Sequence, residues 1–201
     1  MMMIKVLSHY LFDDNMRSMD LTDDNVENTN MAFISIIGTP ECLNYYLDEG
    51  ETKHYFKDHH NVLNLDFDDI SCDVMYNGHH FKTMTMEQAE QTIDFIENAI
   101  NNNVELIEIH CRAAFSRSRA VAEFIYRYCK EHDIDVEYSD RNEYTTMLNQ
   151  GVLRRLNHAY WKKHRINGYE DNSTEYPDDL VNVPVVTINR EKKQAYEINE
   201  E

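Results

Sequence analysis

Four short runs of apolar or alternating residues predict the β-strands of this chain. They cover residues 3–7, 31–37, 62–67 and 104–109. The second run is apolar and β-branched and is ended by Gly38 and Pro40, which is typical of a buried strand. The fourth run contains Glu105 and Glu108, so its pattern leaves open which of its side chains face inward.

Apolar residues at helical spacing predict three helices. The first follows Thr85, because Thr85 and Gln88 form a capping box in which each side chain can bond the backbone of the other residue. The second follows residue 118, and the third covers residues 148–164. Their inward stripes are Ala89, Ile93, Ile96 and Ile100; Val121, Phe124, Ile125 and Tyr128; and Val152, Leu156, Ala159 and Tyr160.

Strands that alternate with helices predict an α/β domain over residues 1–167, with a central, mostly parallel sheet flanked by helices. Residues 12–30 are acidic and weakly periodic, which predicts a solvated loop or short helix, with a lid over a site as the alternative. Residues 168–201 contain nine acidic and three basic residues and form an acidic C-terminal extension. We expect an edge strand over residues 181–188, because Pro184 excludes a central position, and a disordered end after it.

Composition limits the classes of partner. The 201 residues suffice for one domain with a sizeable core, and 19 basic against 37 acidic residues give a formal charge of −18. Such a surface repels nucleic acid and anionic lipid, so we expect neither as a partner. The chain has no run of 18 apolar residues and no apolar segment of a secretory signal at its start. We therefore expect a cytoplasmic protein, in the cytoplasm of the host cell if it is viral.

The four cysteines show no pairing pattern. Cys42, Cys72, Cys111 and Cys129 are irregularly spaced and form no C-x-x-C pair, so we expect reduced thiols and no zinc site. No other metal or cofactor is expected. Cys111 differs from the other three in its neighbours, since it follows a predicted strand and precedes a predicted helix.

The segment from Cys111 to Arg117 has the layout of an anion-binding loop. A tight turn between the end of a strand and the start of a helix directs backbone N–H groups inward, and the helix dipole adds positive charge. A cysteine held in this field favours the thiolate over the thiol. The planar guanidinium of Arg117 can bind two oxygens of one phosphate. We therefore predict a nucleophile and a phosphate-type anion in one loop, without a metal.

These residues resemble a known family. The run His110, Cys111, five residues, Arg117 and Ser118 is similar to the signature of the cysteine-dependent protein tyrosine and dual-specificity phosphatases, in particular small bacterial or phage-type members. The resemblance is strongest over about residues 104–130, and the order of strands and helices upstream agrees with it. It implies a phosphotyrosine-phosphatase-like fold and hydrolysis of phosphate monoesters without a cofactor.

The resemblance also implies roles for residues. Cys111 would attack phosphorus and form a phosphocysteine, Arg117 and the loop amides would stabilise the charge on the phosphoryl oxygens, and Ser118 would donate to the sulfur. His110 would support the loop by hydrogen bonding. The other predicted substrate-binding residues contribute mainly backbone amides, and they are Arg112, Ala113, Ala114, Phe115 and Ser116.

Ala114 departs from the family pattern, which has glycine three residues after the cysteine. Alanine costs about 1 kcal/mol at this position if its backbone is left-handed. That strain would slow an enzyme without abolishing the loop. It leaves a weak or inactive version of the phosphatase as an alternative.

The family also uses an aspartate that protonates the leaving oxygen and then deprotonates water. By likeness to the acid-bearing loop of the small members, Asp69 is the first candidate, Asp68 the second and Asp66 the third. The alternative is that Asp68 and Asp69 only cap a turn. Asn149 and Val152 look like a packing element of the family, so we expect them to be structural.

The expected function is hydrolysis of phosphoprotein monoesters, of phosphotyrosine and also of phosphoserine or phosphothreonine, with a phosphorylated protein or peptide as the partner. Two alternatives stay open. One is a pseudophosphatase that binds phosphorylated partners without turnover, which Ala114 and the uncertain acid favour. The other is a phosphatase of RNA ends or small metabolites, although the charge of −18 disfavours RNA.

Overall fold

The computed structural model describes residues 1–46, 53–138 and 148–164 of the chain. The predicted extension over residues 168–201, with its edge strand, and the predicted boundary at residue 167 lie outside these ranges. In the described ranges, no helix has both the length and the apolar character that crossing a bilayer requires.

The strands of the central sheet are β1 (Met2–Ser8), β2 (Met31–Ile37), β3 (Val62–Asp66), β6 (Leu106–Cys111) and β7 (Val136–Glu137). In the described chain these five strands have the order β3–β2–β6–β1–β7, and every neighbouring pair is parallel. The four predicted strands are thus confirmed, with ends that differ by one or two residues.

A separate hairpin, absent from the predictions, consists of β4 (Val74–Tyr76) and the antiparallel β5 (His79–Phe81). Its two-residue turn is Asn77-Gly78, with φ angles of 50° and 81°. Positive φ at both central residues is typical of a type I′ turn, and Asn-Gly is the dipeptide that favours it. The hairpin lies between β3 and α3 in the chain.

The helices are α1 (His9–Ser18), α2 (Pro40–Tyr46), α3 (Met86–Asn101), α4 (Arg117–Glu131) and α5 (Gln150–His164), with a 3₁₀ turn at Val26–Asn28. The three predicted helices correspond to α3, α4 and α5. The capping box is present, because Thr85 Oγ1 accepts from the Gln88 amide at 3.1 Å and Gln88 Oε1 accepts from the Thr85 amide at 2.9 Å. The predicted α/β class, a parallel sheet flanked by helices, is confirmed.

Alternate side chains of the strands enter two cores on opposite faces of the sheet. Ile34 and Ile109 belong to the large core that contains the apolar stripes of α3, α4 and α5. Phe33 belongs to a smaller core with Phe12 and Met16 of α1. Residues 12–18 belong to the segment 12–30 that is predicted to be a solvated loop or short helix, and they lie in α1, which has a buried face.

The position of Glu108 shows which side chains of β6 face each side of the sheet, a point that the sequence left open. Its side chain is fully buried on the α1 side, where it accepts hydrogen bonds of 2.8 Å from Lys5 Nζ and from Asn15 Nδ2. A buried carboxylate is tolerated when it is paired and hydrogen-bonded in this way. Ile107 and Ile109, on either side of it, face the large core.

The parallel strands bring their carboxyl ends to one edge of the sheet. In the register of the sheet, Ser8 of β1 is opposite Cys111 of β6, and Ile37 of β2 is opposite Asp66 of β3. In parallel α/β sheets the crevice outside this edge is where ligands bind. The predicted site residues follow β3 and β6 at this edge.

Candidate active site

The predicted anion-binding loop lies between β6 and α4. Cys111 ends the strand, Arg117 begins the helix, and residues 112–116 connect them. Ser116 occupies the N-cap position of α4, but its side chain makes no hydrogen bond to the helix. The first-turn amides and the positive end of the helix dipole can therefore act on an anion in front of the loop.

The sulfur of Cys111 is buried beside the first turn of α4. Cys111 is 2% exposed, and its Sγ lies 3.0 Å from Ser118 Oγ. A thiolate has no proton to give, so in that form of Cys111 the hydroxyl is the donor. The resemblance implies this same pair, with the Ser118 hydroxyl donating to the Cys111 sulfur.

Arg117 connects the Cys111 loop to the segment that carries the candidate acids. Arg117 is 5% exposed, and its Nη1 donates to the carbonyl oxygen of Phe67 at 2.8 Å. Phe67 immediately precedes Asp68 and Asp69. The guanidinium and the acidic segment are thereby held on the same side of the sheet.

Ala114 has a left-handed backbone, with φ of 62°. An L-residue with a Cβ atom is strained in this region by roughly 1–2 kcal/mol, whereas glycine is not. The left-handed backbone at which alanine is less stable than glycine is therefore present at this position. Strained residues of this kind cluster at functional sites, where the surrounding structure has to hold them.

Asp69 contacts the Cys111 loop directly. Its Oδ1 accepts a hydrogen bond of 2.6 Å from Ser116 Oγ and one of 2.9 Å from Asn149 Nδ2. The hydroxyl that would ordinarily cap α4 is thus used to hold the carboxylate. Asp69 is exposed and lines the cavity in front of Cys111.

Asp68 has a different environment from its neighbour. It is 1% exposed, its Oδ1 accepts from the Thr39 amide at 2.8 Å, and its Oδ2 accepts from the Lys82 amide at 2.7 Å. The Thr39 hydroxyl donates to both oxygens as well. Both oxygens of Asp68 are thus occupied by hydrogen bonds that join separate segments of the backbone, whereas Asp69 bonds the Cys111 loop.

Asp66, the third candidate, lies at the end of β3 and pairs with a histidine. Its Oδ1 is 2.7 Å from His54 Nε2, and His54 Nδ1 is 2.6 Å from Ser35 Oγ. Asp66 is not among the described residues that line the cavity in front of Cys111. Of the three candidates, the structure brings Asp69 to the loop.

The predicted hydrogen-bonding role of His110 is wrong. The residue is fully buried, and neither ring nitrogen has a hydrogen-bond partner among the described residues. Its ring stacks on Phe12 at a centroid distance of 4.0 Å and contacts His9 at 5.6 Å. Burial keeps the pKa of His110 well below its ordinary value, so the ring is neutral and supports the loop by packing.

A cavity of about 250 Å³ opens in front of the loop. Its walls come from the Cys111 loop, the acidic segment, the start of α2 and the hairpin. The lining residues are Gly38, Cys42, Leu43, Asp68, Asp69, Ile70, Phe81, Cys111, Arg112, Ala113, Phe115, Ser116 and Arg117. All predicted loop residues except Ala114 and Ser118 therefore line one cavity, together with Asp69.

Asn149 was predicted to be structural, yet it contacts the candidate acid. Besides Asp69, its Nδ2 donates to the Ile70 carbonyl at 3.2 Å, and its Oδ1 accepts from the Val152 amide at 3.1 Å, which caps α5. Gly151 allows this close approach, because a Cβ atom there would lie 2.8 Å from the Ser71 carbonyl oxygen. The contact spans 80 residues of sequence, so only the N-cap pattern at Asn149 could have indicated part of it.

The described residues contain no group of three or more His, Cys, Asp or Glu side chains placed to hold a metal ion. The four cysteines are unpaired by disulfides, with Cys42 and Cys72 partly exposed and Cys111 and Cys129 buried. Cys42 lines the same cavity as Cys111, whereas Cys72 and Cys129 do not.

Comparison with known proteins gives likenesses in structure. No protein-family model matches the chain, and no curated protein matches it. One similar solved structure is the human tyrosine phosphatase-like serine/threonine/tyrosine-interacting protein, at 16% identity and a TM-score of 0.38, covering 68% of this chain and 80% of that one. Another is PTPMT1 in complex with PI(5)P, at 11% identity and a TM-score of 0.33, covering 80% and 94%. Likenesses at this level concern the fold, so the chemistry has to follow from the residues of the chain itself.

Proposed function

We propose that this protein hydrolyses phosphate monoesters through a phosphocysteine intermediate, with phosphotyrosine in a protein or peptide as the principal substrate. The observation that carries the proposal is the meeting of three groups in one cavity. These are the Cys111 sulfur, the Arg117 guanidinium at the uncapped start of α4, and the Asp69 carboxyl. A thiolate, a fixed cation and a carboxyl around one anion are what this reaction requires.

In the first step the Cys111 thiolate attacks phosphorus. The S–P bond forms while the P–O bond to the leaving group breaks, and protonated Asp69 gives its proton to the leaving oxygen. Arg117 and the loop amides stabilise the negative charge on the three equatorial oxygens. Ser116 and Asn149 hold Asp69 by the two hydrogen bonds to its Oδ1, which keeps the carboxyl beside the loop.

In the second step water attacks phosphorus and the S–P bond breaks. The water proton goes to the Asp69 carboxylate, which regenerates the acid, and inorganic phosphate leaves. The Ser118 hydroxyl, 3.0 Å from the sulfur, donates to the departing thiolate and makes it a better leaving group. Atoms and charges balance without a further reactant other than water.

The cavity wall supports an aryl ester as the substrate. Leu43, Ile70 and Phe115 line the cavity together with the loop, and Phe115 is 43% exposed at the surface. Apolar side chains beside an anion site bury the ring of an aryl phosphate, whereas a serine phosphate offers little apolar area to them. We therefore place phosphotyrosine before phosphoserine and phosphothreonine.

The strained Ala114 favours a second candidate, a binding protein that holds a phosphorylated partner without turnover. Hydrolysis of p-nitrophenyl phosphate and of a phosphotyrosine peptide separates the two candidates. We expect hydrolysis by the wild type and a loss of at least about a thousandfold in kcat for Cys111→Ser, since the nucleophile is removed. Cys72→Ser, at a partly exposed cysteine outside the cavity, is the matched control and should keep wild-type kcat.

Binding of orthovanadate without hydrolysis of either substrate would support the binding protein instead. Activity that persists in Cys111→Ser would exclude the phosphocysteine route. Faster hydrolysis of a 5′-triphosphorylated oligonucleotide than of the phosphopeptide would contradict the proposed substrate.

A further inference from the structure

Two contacts hold the strained Ala114. Its methyl group packs against the large core, and its carbonyl oxygen accepts a hydrogen bond of 2.7 Å from Arg119 Nε. The packing gives one reason for alanine rather than glycine here, since glycine has no side chain to bury. The hydrogen bond to Arg119 fixes the plane of the peptide that follows Ala114.

The orientation of that peptide decides where one amide of the loop points. In a trans peptide the C=O of one residue and the N–H of the next point in opposite directions, and the described chain has no cis peptide. Of residues 111–117, all of them described, Ala114 alone does not line the cavity, whereas Phe115 does. Because the Ala114 carbonyl points to Arg119, which does not line the cavity, the Phe115 N–H points away from Arg119.

Arg119 is itself held in place. It lies in the first turn of α4, is 4% exposed, and its Nη1 lies 3.3 Å from Tyr138 Oη. Tyr138 follows β7 and belongs to the large core. The guanidinium therefore joins the back of the loop to the body of the sheet, and its Nε is the atom that reaches the loop.

We propose that Arg119 is a positioning residue that aims the Phe115 amide at the anion, by fixing the carbonyl of the left-handed Ala114. The inference rests on the proposed function in taking the anion to be the phosphoryl group of the substrate. Its mechanism is geometric, because Arg119 lies behind the loop, outside the residues that line the cavity.

Two neutral substitutions separate this role from that of a nearby positive charge. Arg119→Gln places an N–H donor at the same distance along the side chain as Arg Nε, and Arg119→Met places a methyl group there. We expect Arg119→Met to weaken binding of sodium orthovanadate by about tenfold or more, and Arg119→Gln to stay within about threefold of the wild type. Arg127→Met is the control, since Arg127 lies eight residues further along α4 and pairs with Glu123.

A second measurement needs no turnover and no anion. Alkylation of Cys111 by iodoacetamide at mildly acidic pH, followed on the Cys111 peptide by mass spectrometry, reports the thiolate, which the Phe115 amide stabilises. We expect slower alkylation of Cys111 in Arg119→Met than in Arg119→Gln, at a temperature where both variants are folded. A purely structural role of Arg119 would lower the unfolding temperature of both variants without separating their alkylation rates.

Tyr138→Phe is a milder variant in case Arg119→Met does not fold. It removes one hydroxyl that holds Arg119, and we expect vanadate affinity to fall about two- to tenfold. Equal losses of vanadate affinity in Arg119→Gln and Arg119→Met would show that charge alone acts and would overturn the proposal. Wild-type affinity in both Arg119→Met and Tyr138→Phe would overturn it as well. If the wild type neither hydrolyses esters nor binds vanadate, the proposed function fails, and the alkylation rates still decide the role of Arg119.

Discussion

Cavities of similar size lie at the two ends of the sheet, and only one of the two is lined by a buried cysteine and a buried arginine. The cavity at the carboxyl edge has a volume of about 250 Å³ and that at the amino edge about 260 Å³. The second lies between β2 and the C-terminal half of α3. Its lining residues are Thr29, Asn30, Met31, Ala32, His60, Asn61, Phe95, Asn98, Ala99, Asn102 and Val104.

The two cavities differ in the burial and charge of the residues that line them and in the backbone strain of their walls. The carboxyl-edge cavity is lined by a thiol and a guanidinium that are both buried, at Cys111 and Arg117, and the loop between them contains a left-handed alanine. The amino-edge wall has neutral amides and apolar side chains, with His60 as its titratable member. Cavity volume therefore identifies neither site, whereas buried charge together with backbone strain points to one edge.

The largest effect is expected from substitutions of the two adjacent aspartates at the carboxyl edge. We expect Asp69→Asn to lower kcat for p-nitrophenyl phosphate by about a hundredfold, because the proton donor is lost. Asp68→Asn should instead destabilise the fold, by about 1–3 kcal/mol, because an amide group would replace an acceptor of backbone N–H bonds. Steady-state kinetics and thermal unfolding of both variants measure the two effects.

Asn98→Ala, at an exposed position of the amino-edge cavity, is the control and should leave kcat unchanged. A large loss of kcat in folded Asp68→Asn with little loss in Asp69→Asn would reverse the assignment of the acid. A large loss in Asn98→Ala would break the distinction between the two edges.

A smaller effect is expected at Asn149, which holds Asp69 and also caps α5. Asn149→Ala should lower kcat about two- to tenfold and destabilise the protein by about 1 kcal/mol. Asn149→Asp retains a good cap but brings a like charge to Asp69, which favours its protonated form. The alkaline limb of the pH–rate profile should then move to higher pH.

The pH–rate profile of Asn149→Asp therefore separates capping from positioning. If both variants lose the same stability and keep the wild-type profile, Asn149 acts only as a cap. If Asn149→Asp keeps its stability and shifts the profile, the side chain acts on Asp69.

The carboxyl-edge loop could be predicted from the sequence because its parts are consecutive. A strand, Cys111, five residues, Arg117 and an amphipathic helix form a local pattern, and the capping box at Thr85 is local as well. The resemblance ranked Asp69 above Asp68, and the fold gives the two carboxyl groups different surroundings. The oxygens of Asp68 are bonded by Thr39 and Lys82, from segments far apart in the chain.

The residues that support the site are the ones that the sequence did not indicate. Asn149 reaches Asp69 across 80 positions. His110 was expected to form hydrogen bonds, but its ring instead stacks on Phe12 of α1. The sequence did not indicate this contact, because the segment that contains α1 is acidic and only weakly periodic. The hairpin at Asn77-Gly78 was not predicted although its turn dipeptide favours one, because its strands are only three residues long.

The smallest effect is expected in a charged cluster at the amino edge, which acts on stability alone. His59 Nε2 lies 3.0 Å from Asp23 and its Nδ1 3.1 Å from Glu27. The hydrogen bond with Asp23 raises the pKa of His59 above its ordinary 6.5. The Lys57 amide, then His59, lowers the pKa of Asp23, and His59, then His60, lowers the pKa of Glu27.

The signs of these shifts fix the pH range in which the cluster stabilises the fold. The contribution of His59 is fully present below 6.5 and is lost as the pH rises through its raised pKa. That of the carboxylates is present above their ordinary values of 3.8 and 4.5 and is lost as the pH falls through their lowered pKa. The cluster therefore contributes most between about pH 4.5 and 6.5.

The wild type should unfold at a higher temperature than His59→Gln. We expect this difference in unfolding temperature to be largest in this pH range and to decrease toward pH 8. Hydrolysis by the folded variant should equal that of the wild type at each pH, since His59 lies at the opposite edge from Cys111. An unchanged difference in unfolding temperature across the range would show that the ion pairs contribute nothing. A changed pH–rate profile would show that the amino edge acts on the reaction, and the separation of stability from chemistry between the two edges would be wrong.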